Sequence, residues 1–179
     1  DRPIALLTLA YALHAAAAPA IDDAREDRWA SEVVPGIVVG EAVWLATPSR
    51  AKVLAILALP AGPPKAGVVI VHGLGVHPDF GMIGGLRTLL ADAGYATLAV
   101  QMPVLAAGAS RDDYTVTLPA AAERLTAAIA FLRARGIAPI AVVSHSVGAT
   151  MTDAFLARPE APRIDAWVPV GMPIEFAAN

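Results

Sequence analysis

Ser146 sits between small residues in Ser144-His145-Ser146-Val147-Gly148, a spacing suited to nucleophilic attack. Residues 139–143 form an apolar run that predicts a strand, and residues 149–158 predict a helix. A serine on the sharp turn between them offers its hydroxyl to a cleft, and Gly148 lets helix and strand approach closely. The Val147 backbone N–H, at the helix N-terminus, would donate to an oxyanion developing on an attacked carbonyl. A second donor is expected from the loop after residues 67–71, with Leu74 in His72-Gly73-Leu74-Gly75 as the candidate. The pentapeptide departs from Gly-x-Ser-x-Gly at Ser144, which is small enough for the turn. The competing reading is a Ser/Gly helix start with no chemistry.

Such a serine requires a general base, and no histidine follows His145. His145 itself is adjacent to Ser146, so its side chain should point elsewhere and contribute packing or shape. His72 is expected to brace the loop that carries Leu74, and His77 is the unconventional alternative base. His77 and Asp79 together fall short of a metal site, because no partner pair is evident. Glu175 follows the final strand and fits the chain order serine then acid, although a helix-start carboxylate explains it equally well. Asp112, Asp113 and Tyr114 belong either to the substrate pocket or to a solvated turn. His72, Gly73, His145 and Tyr114 are the candidates for substrate contact; no cofactor and no metal is implied.

The elements that must position these groups are legible from periodicity. Residues 37–46 and 53–59 read as an antiparallel entry into a sheet, with Thr47-Pro48-Ser49 turning between them. Residues 67–71 and 95–100 are short continuous apolar runs, as parallel strands covered on both faces require. Ile83, Leu86, Leu90 and Ala93 recur at helical spacing before a C-capping Gly94. Leu118, Ala122, Leu125, Ile129 and Leu132 mark an amphipathic helix, with Glu123, Arg124, Arg133 and Arg135 off the stripe. The strand and helix flanking Ser146 follow, then a strand at 164–170. This alternation predicts an α/β domain with a mainly parallel sheet flanked by helices. Ligands then bind beyond the carboxyl ends of the strands, where the loops 72–80 and 101–117 meet the Ser146 turn.

Composition narrows the function classes. A net charge of -3 without any Lys/Arg run argues against a nucleic-acid footprint. The absence of cysteine removes disulfides, thiolate metal sites and a cysteine nucleophile. Arg2 precedes an apolar run over residues 3–18, and Ala18-Pro19-Ala20 supplies an A-x-A-like cleavage site before Ile21-Asp22-Asp23. Residues 1–20 therefore read as a secretory signal peptide and residues 21–179 as the domain, with a periplasmic or secreted location and no lasting membrane anchor. The rival reading, an uncleaved anchor, fits the Ala-rich, Pro-broken end less well.

The stretch from Val68 to Phe155 resembles a bacterial α/β-hydrolase-fold family of exported proteins. The segments that carry the likeness are Val71-His72-Gly73, His77-Pro78-Asp79-Phe80, residues 98–105, Asp113-Tyr114 and residues 144–149. The resemblance implies Ser146 as nucleophile, an acid after the next strand but one and a histidine after the last strand. It does not supply a substrate. Completing that fold takes two more strand-helix units of roughly 30 residues each, whereas the stretch from Ser146 to Asn179 is used up by one helix, one strand and a tail. The expectation is a partial α/β-hydrolase domain lacking its last strands, inactive toward simple esters as it stands. The complete protein would be a serine hydrolase of esterase type acting on a small ester or amide. The alternative is a non-catalytic binding protein of the cell envelope on the same scaffold.

Overall fold

The structure is a computed structural model that describes residues 18–173. The apolar run of the expected signal peptide, apart from Ala18, and the candidate acid Glu175 lie outside the described residues.

The first element is one that periodicity did not reveal. Just after the expected cleavage site, the chain enters helix α1 (Asp23–Val33), with the Asp22 carboxylate accepting from the Arg25 amide at 2.9 Å. That is ordinary N-capping, and it satisfies one of the donors a helix start leaves without an intrahelical partner. A hairpin follows, β1 (Glu41–Leu45) and β2 (Val53–Ala58), turned through paired backbone bonds between Thr47 and Arg50. Residues 37–40 stay outside the strand that was expected to include them.

Alternation then proceeds as predicted: β3 (Gly67–Val71), α2 (Met82–Asp92), β4 (Ala96–Val100), α3 (Leu118–Arg133), β5 (Ile140–His145), α4 (Val147–Leu156) and β6 (Ala166–Val170). A 3-10 turn at Asp112–Thr117 leads into α3. Gly94 ends the region after α2 with φ +95°, a conformation that costs glycine no Cβ clash. The sheet order is β1-β2-β4-β3-β5-β6, with β4, β3, β5 and β6 parallel and β2 antiparallel to both of its neighbours, β1 and β4.

Period-two alternation sends side chains to the two faces. Val69, Val71, Leu98, Val100 and Val142 join Leu125, Ile129 and Leu132 of α3 and Met151 and Phe155 of α4 in the larger core. Val68, Ile70 and Ala99 pack with Ile83, Leu86 and Leu90 of α2 on the other face. The predicted stripe of α3 is thus the buried one. Arg124 is the exception: expected off the stripe, it is buried at 1% exposure, because Glu26 of α1 meets it in the interior. Among the described residues β6 is the edge strand on this side, with Val168 50% exposed.

The topology places the site. The chain runs from β3 to β4 on one side, then crosses back over β3 to β5 on the other. That reversal opens a crevice at the carboxyl ends of β3 and β5, between the loop starting at His72 and the turn at Ser146.

Candidate active site

Ser146 joins β5 directly to α4 with φ 54° and ψ -126°. Among the described residues it is the sole non-glycine with positive φ. Holding a side chain there costs about 1–3 kcal/mol, and such conformations concentrate at functional sites. Three neighbours make the turn possible. A Cβ at position 148 would overlap the His72 carbonyl oxygen and come within 2.9 Å of Val71 Cγ1, so only glycine lets α4 start so near β3. A Cβ at position 73 would lie 3.2 Å from both Ser146 Cβ and His145 Nδ1, so glycine also keeps the opposite wall thin. The Ser146 amide donates to the Val170 carbonyl at 2.9 Å, anchoring the turn to the end of β6.

Ser144, the departure from glycine, turns out to have a bonding role. It is fully buried, and its hydroxyl accepts from the Trp167 indole N–H at 2.7 Å, tying β5 to β6 one strand residue before His145.

The candidate oxyanion donors flank the crevice. Val147 is the first residue of α4, so its N–H belongs to the group that has no intrahelical acceptor. Leu74, 38% exposed, is in the wall of the cavity that contains Ser146. That cavity has a volume of about 220 Å³ and is walled mainly by Leu74, Val76, Phe80, Met82 and Ile83, with His145 beside the serine.

His72 does not reach this cavity. It is 1% exposed, a correction to its nomination for substrate contact, and it braces the loop from beneath. Its Nε2 accepts the Met102 amide proton at 2.8 Å and is met by Gln101 Nε2 at 3.1 Å. That nitrogen therefore bears no proton, which makes Nδ1 the N–H that donates to the Gly73 carbonyl at 2.8 Å. Burial, more than any other influence, lowers its pKa to about 4 and keeps the ring neutral.

His77 is seated between Trp29 and Phe80, each ring centroid 5.7 Å away, and its Nδ1 accepts from the Asp79 amide at 3.3 Å. Burial lowers its pKa, while Asp79 and Glu32 act in the opposite direction. No hydrogen bond joins His77 to Ser146, and no described residue is hydrogen-bonded to the Ser146 hydroxyl. Asp79 is engaged elsewhere, 2.6 Å from Arg87. Tyr114 is neither in the Ser146 cavity nor on a solvated turn: it is 3% exposed, and its hydroxyl accepts from the Leu105 amide at 3.2 Å. Asp113 accepts from the Ser110 amide and hydroxyl, which holds its carboxyl below the usual range. Among the described residues, no three His, Cys, Asp or Glu side chains group as metal ligands.

Motif reading missed the support contributed by α1. Glu26 Oε2 pairs with Arg124 Nη1 at 2.9 Å, Glu26 Oε1 accepts the Val104 amide at 3.2 Å, and Arg124 also donates to the Gln101 carbonyl at 3.0 Å. Burial raises the Glu26 pKa and lowers that of Arg124, each opposed by attraction to the other. The sequence signal was a capping Asp22 ahead of a charged segment, which by itself marks a helix start but not its docking place.

No family model and no curated protein matches this chain. Among solved structures it is similar to a lipase in its open form, at 23% identity and a TM-score of 0.56, covering 72% of this chain and 43% of that one. A cold-adapted esterase from an Arctic intertidal metagenomic library matches at 20% identity and a TM-score of 0.60, over 72% and 58% of the two chains. Dienelactone hydrolase from Anabaena variabilis matches at 21% and 0.58, over 76% and 64%. The chain therefore has the α/β-hydrolase fold and spans between two fifths and two thirds of the length of these neighbours.

Proposed function

We propose that this chain contributes the nucleophile and the oxyanion donors of a serine hydrolase that cleaves small carboxylic esters. The observation that carries the reading is Ser146 itself: a non-glycine residue held at φ 54° between strand and helix, with glycine at 73, where a Cβ would crowd it, and at 148, where a Cβ would collide with the end of β3. A fold does not determine a function, so the weight rests on that geometry. The likeness to a lipase and an esterase supports the reaction class.

In the reaction, Ser146 Oγ bonds to the ester carbonyl carbon as its proton passes to a general base. The carbonyl electrons move to oxygen, which the Val147 and Leu74 amides receive. Losing one such donor costs about 3 kcal/mol of transition-state stabilisation. Collapse breaks the C–O bond, the alcohol leaves with a proton from the base, and water then releases the acid from the acyl-enzyme. The base and its acid partner are proposed to come from residues outside those described, in a longer protein. Export is proposed with it, on the character of residues 1–20.

The test is a fluorophosphonate probe on full-length protein. Labelling that disappears in Ser146→Ala, together with ester turnover that disappears with it, supports the hydrolase. Folded full-length protein that takes no label would instead favour a binding role for the same scaffold.

A further inference from the structure

Helix α1 hydrogen-bonds to the loop that carries Leu74 through Arg25. Arg25 Nη1 donates to the Leu105 carbonyl at 2.7 Å, and Arg25 Nη2 donates to the Gly75 carbonyl at 3.3 Å. These carbonyls belong to the loops that leave β3 and β4, adjacent parallel strands. The guanidinium also lies over the Trp29 ring, 4.5 Å from its centroid. Trp29 in turn contacts His77, and His77 contacts Phe80 in the wall of the Ser146 cavity.

Leu74 is thereby bracketed. The carbonyl before it, on Gly73, is held by His72, and the carbonyl after it, on Gly75, is held by Arg25. A peptide is planar, so fixing the Gly73 carbonyl sets the plane that carries the Leu74 N–H. Gly75 has φ +65°, a conformation open to a residue without a Cβ, so the loop depends on its bonding partners to stay in one arrangement. The planar guanidinium can bond two carbonyls in different directions at once, which a lysine ammonium reproduces poorly.

We propose that Arg25 is a positioning residue for the Leu74 amide, acting through the Gly75 carbonyl and with Leu105 as its second anchor. This rests on the serine hydrolase reading above. Its effect falls on the step in which negative charge develops on oxygen, so it should act on kcat and on probe reactivity more than on KM.

The experiment compares Arg25→Ala and Arg25→Lys with wild type in the full-length protein, by two measurements. One is the rate of fluorophosphonate labelling, in which the Ser146 Oγ–P bond forms, the P–F bond breaks, fluoride leaves and the hydroxyl proton passes to the base. The other is amide hydrogen exchange across 73–76 and 103–106, with 140–144 as the internal reference. Arg25→Ala is expected to label about 10-fold more slowly, less than the 10²–10³-fold cost of deleting an oxyanion donor. Exchange should rise in both loops but not in β5, and Arg25→Lys should fall between. Unchanged exchange in Arg25→Ala overturns the clamp. Faster exchange with an unchanged labelling rate overturns the link to Leu74. A wild type that takes no label while Arg25→Ala still loosens the loops overturns the hydrolase reading and this use of the clamp with it. An Arg25→Ala variant that unfolds outright, with Arg25→Lys indistinguishable from wild type in both measurements, overturns it as well.

Discussion

His72 Nδ1 donates to the Gly73 carbonyl at 2.8 Å because the Met102 amide occupies the other ring nitrogen. A buried histidine with one tautomer enforced is a rigid bracket between the end of β3 and Met102, two residues beyond β4. It orients the peptide that leads into Leu74 without touching the cavity.

This bracket makes stability depend on pH. With the His72 pKa lowered from 6.5 to about 4, the unfolded chain binds a proton between those values while the native chain does not. Stability is therefore complete above pH 6.5 and falls as pH drops toward 4, by about 3 kcal/mol at the lower end. Urea unfolding at pH 7 and pH 4.5 measures it. His72→Gln, which can still accept from one amide and donate to one carbonyl, should lose most of that pH dependence.

Gly148→Ala is expected to destabilise by about 1–3 kcal/mol, the usual cost of overpacking, since the new methyl meets the His72 carbonyl and Val71. Gly73→Ala faces a looser contact, 3.2 Å from Ser146 Cβ. It should leave the unfolding midpoint nearly unchanged and slow probe labelling. Thermal unfolding beside labelling rates separates the two, and equal effects on both measurements would contradict this division.

Ser146→Gly and Ser146→Ala should both lose labelling but differ in stability. Alanine keeps the strained φ of 54°, whereas glycine relieves it. Glycine also loses about 0.4–1 kcal/mol through the unfolded chain's greater freedom, against strain of about 1–3 kcal/mol. The glycine variant is expected to be the more stable of the two in chemical denaturation.

Glu26 and Arg124 are 3% and 1% exposed and 2.9 Å apart. Removing one partner of such a pair leaves an uncompensated buried charge and costs about 3–5 kcal/mol. Glu26→Ala should fall in that range, and adding Arg124→Met should recover a large part. A double-mutant cycle that shows additivity would mean the pair is not coupled.

Cleavage after Ala20 is expected for exported protein, and sequencing the mature N-terminus checks it. Residues 18–20 are exposed, whereas Ile21 pairs with Leu105 and the Asp22 amide donates to the Val104 carbonyl. A cut one or two residues further on would remove contacts that dock α1. A mature terminus beginning beyond Asp22 would contradict the assignment.

The alternation of apolar runs and helical stripes settled the element order, since period two and period 3.6 are properties of local sequence. The same local pattern singled out Ser146, because small residues around a serine between strand and helix are a backbone requirement written in residue types. Where side chains from distant segments meet is a different matter. Arg124 reads as a solvent-facing arginine until Glu26, 98 residues away, is packed against it. Ser144 reads as an imperfect glycine until Trp167 bonds to its hydroxyl. His77, His72 and Tyr114 carry chemistry-bearing groups on the right loops, yet packing sends one to an aromatic cluster and buries the other two. Burial and hydrogen bonding are set by the whole sheet and its helices, so they assign each polar side chain to bracing or to the cleft only after the chain has folded.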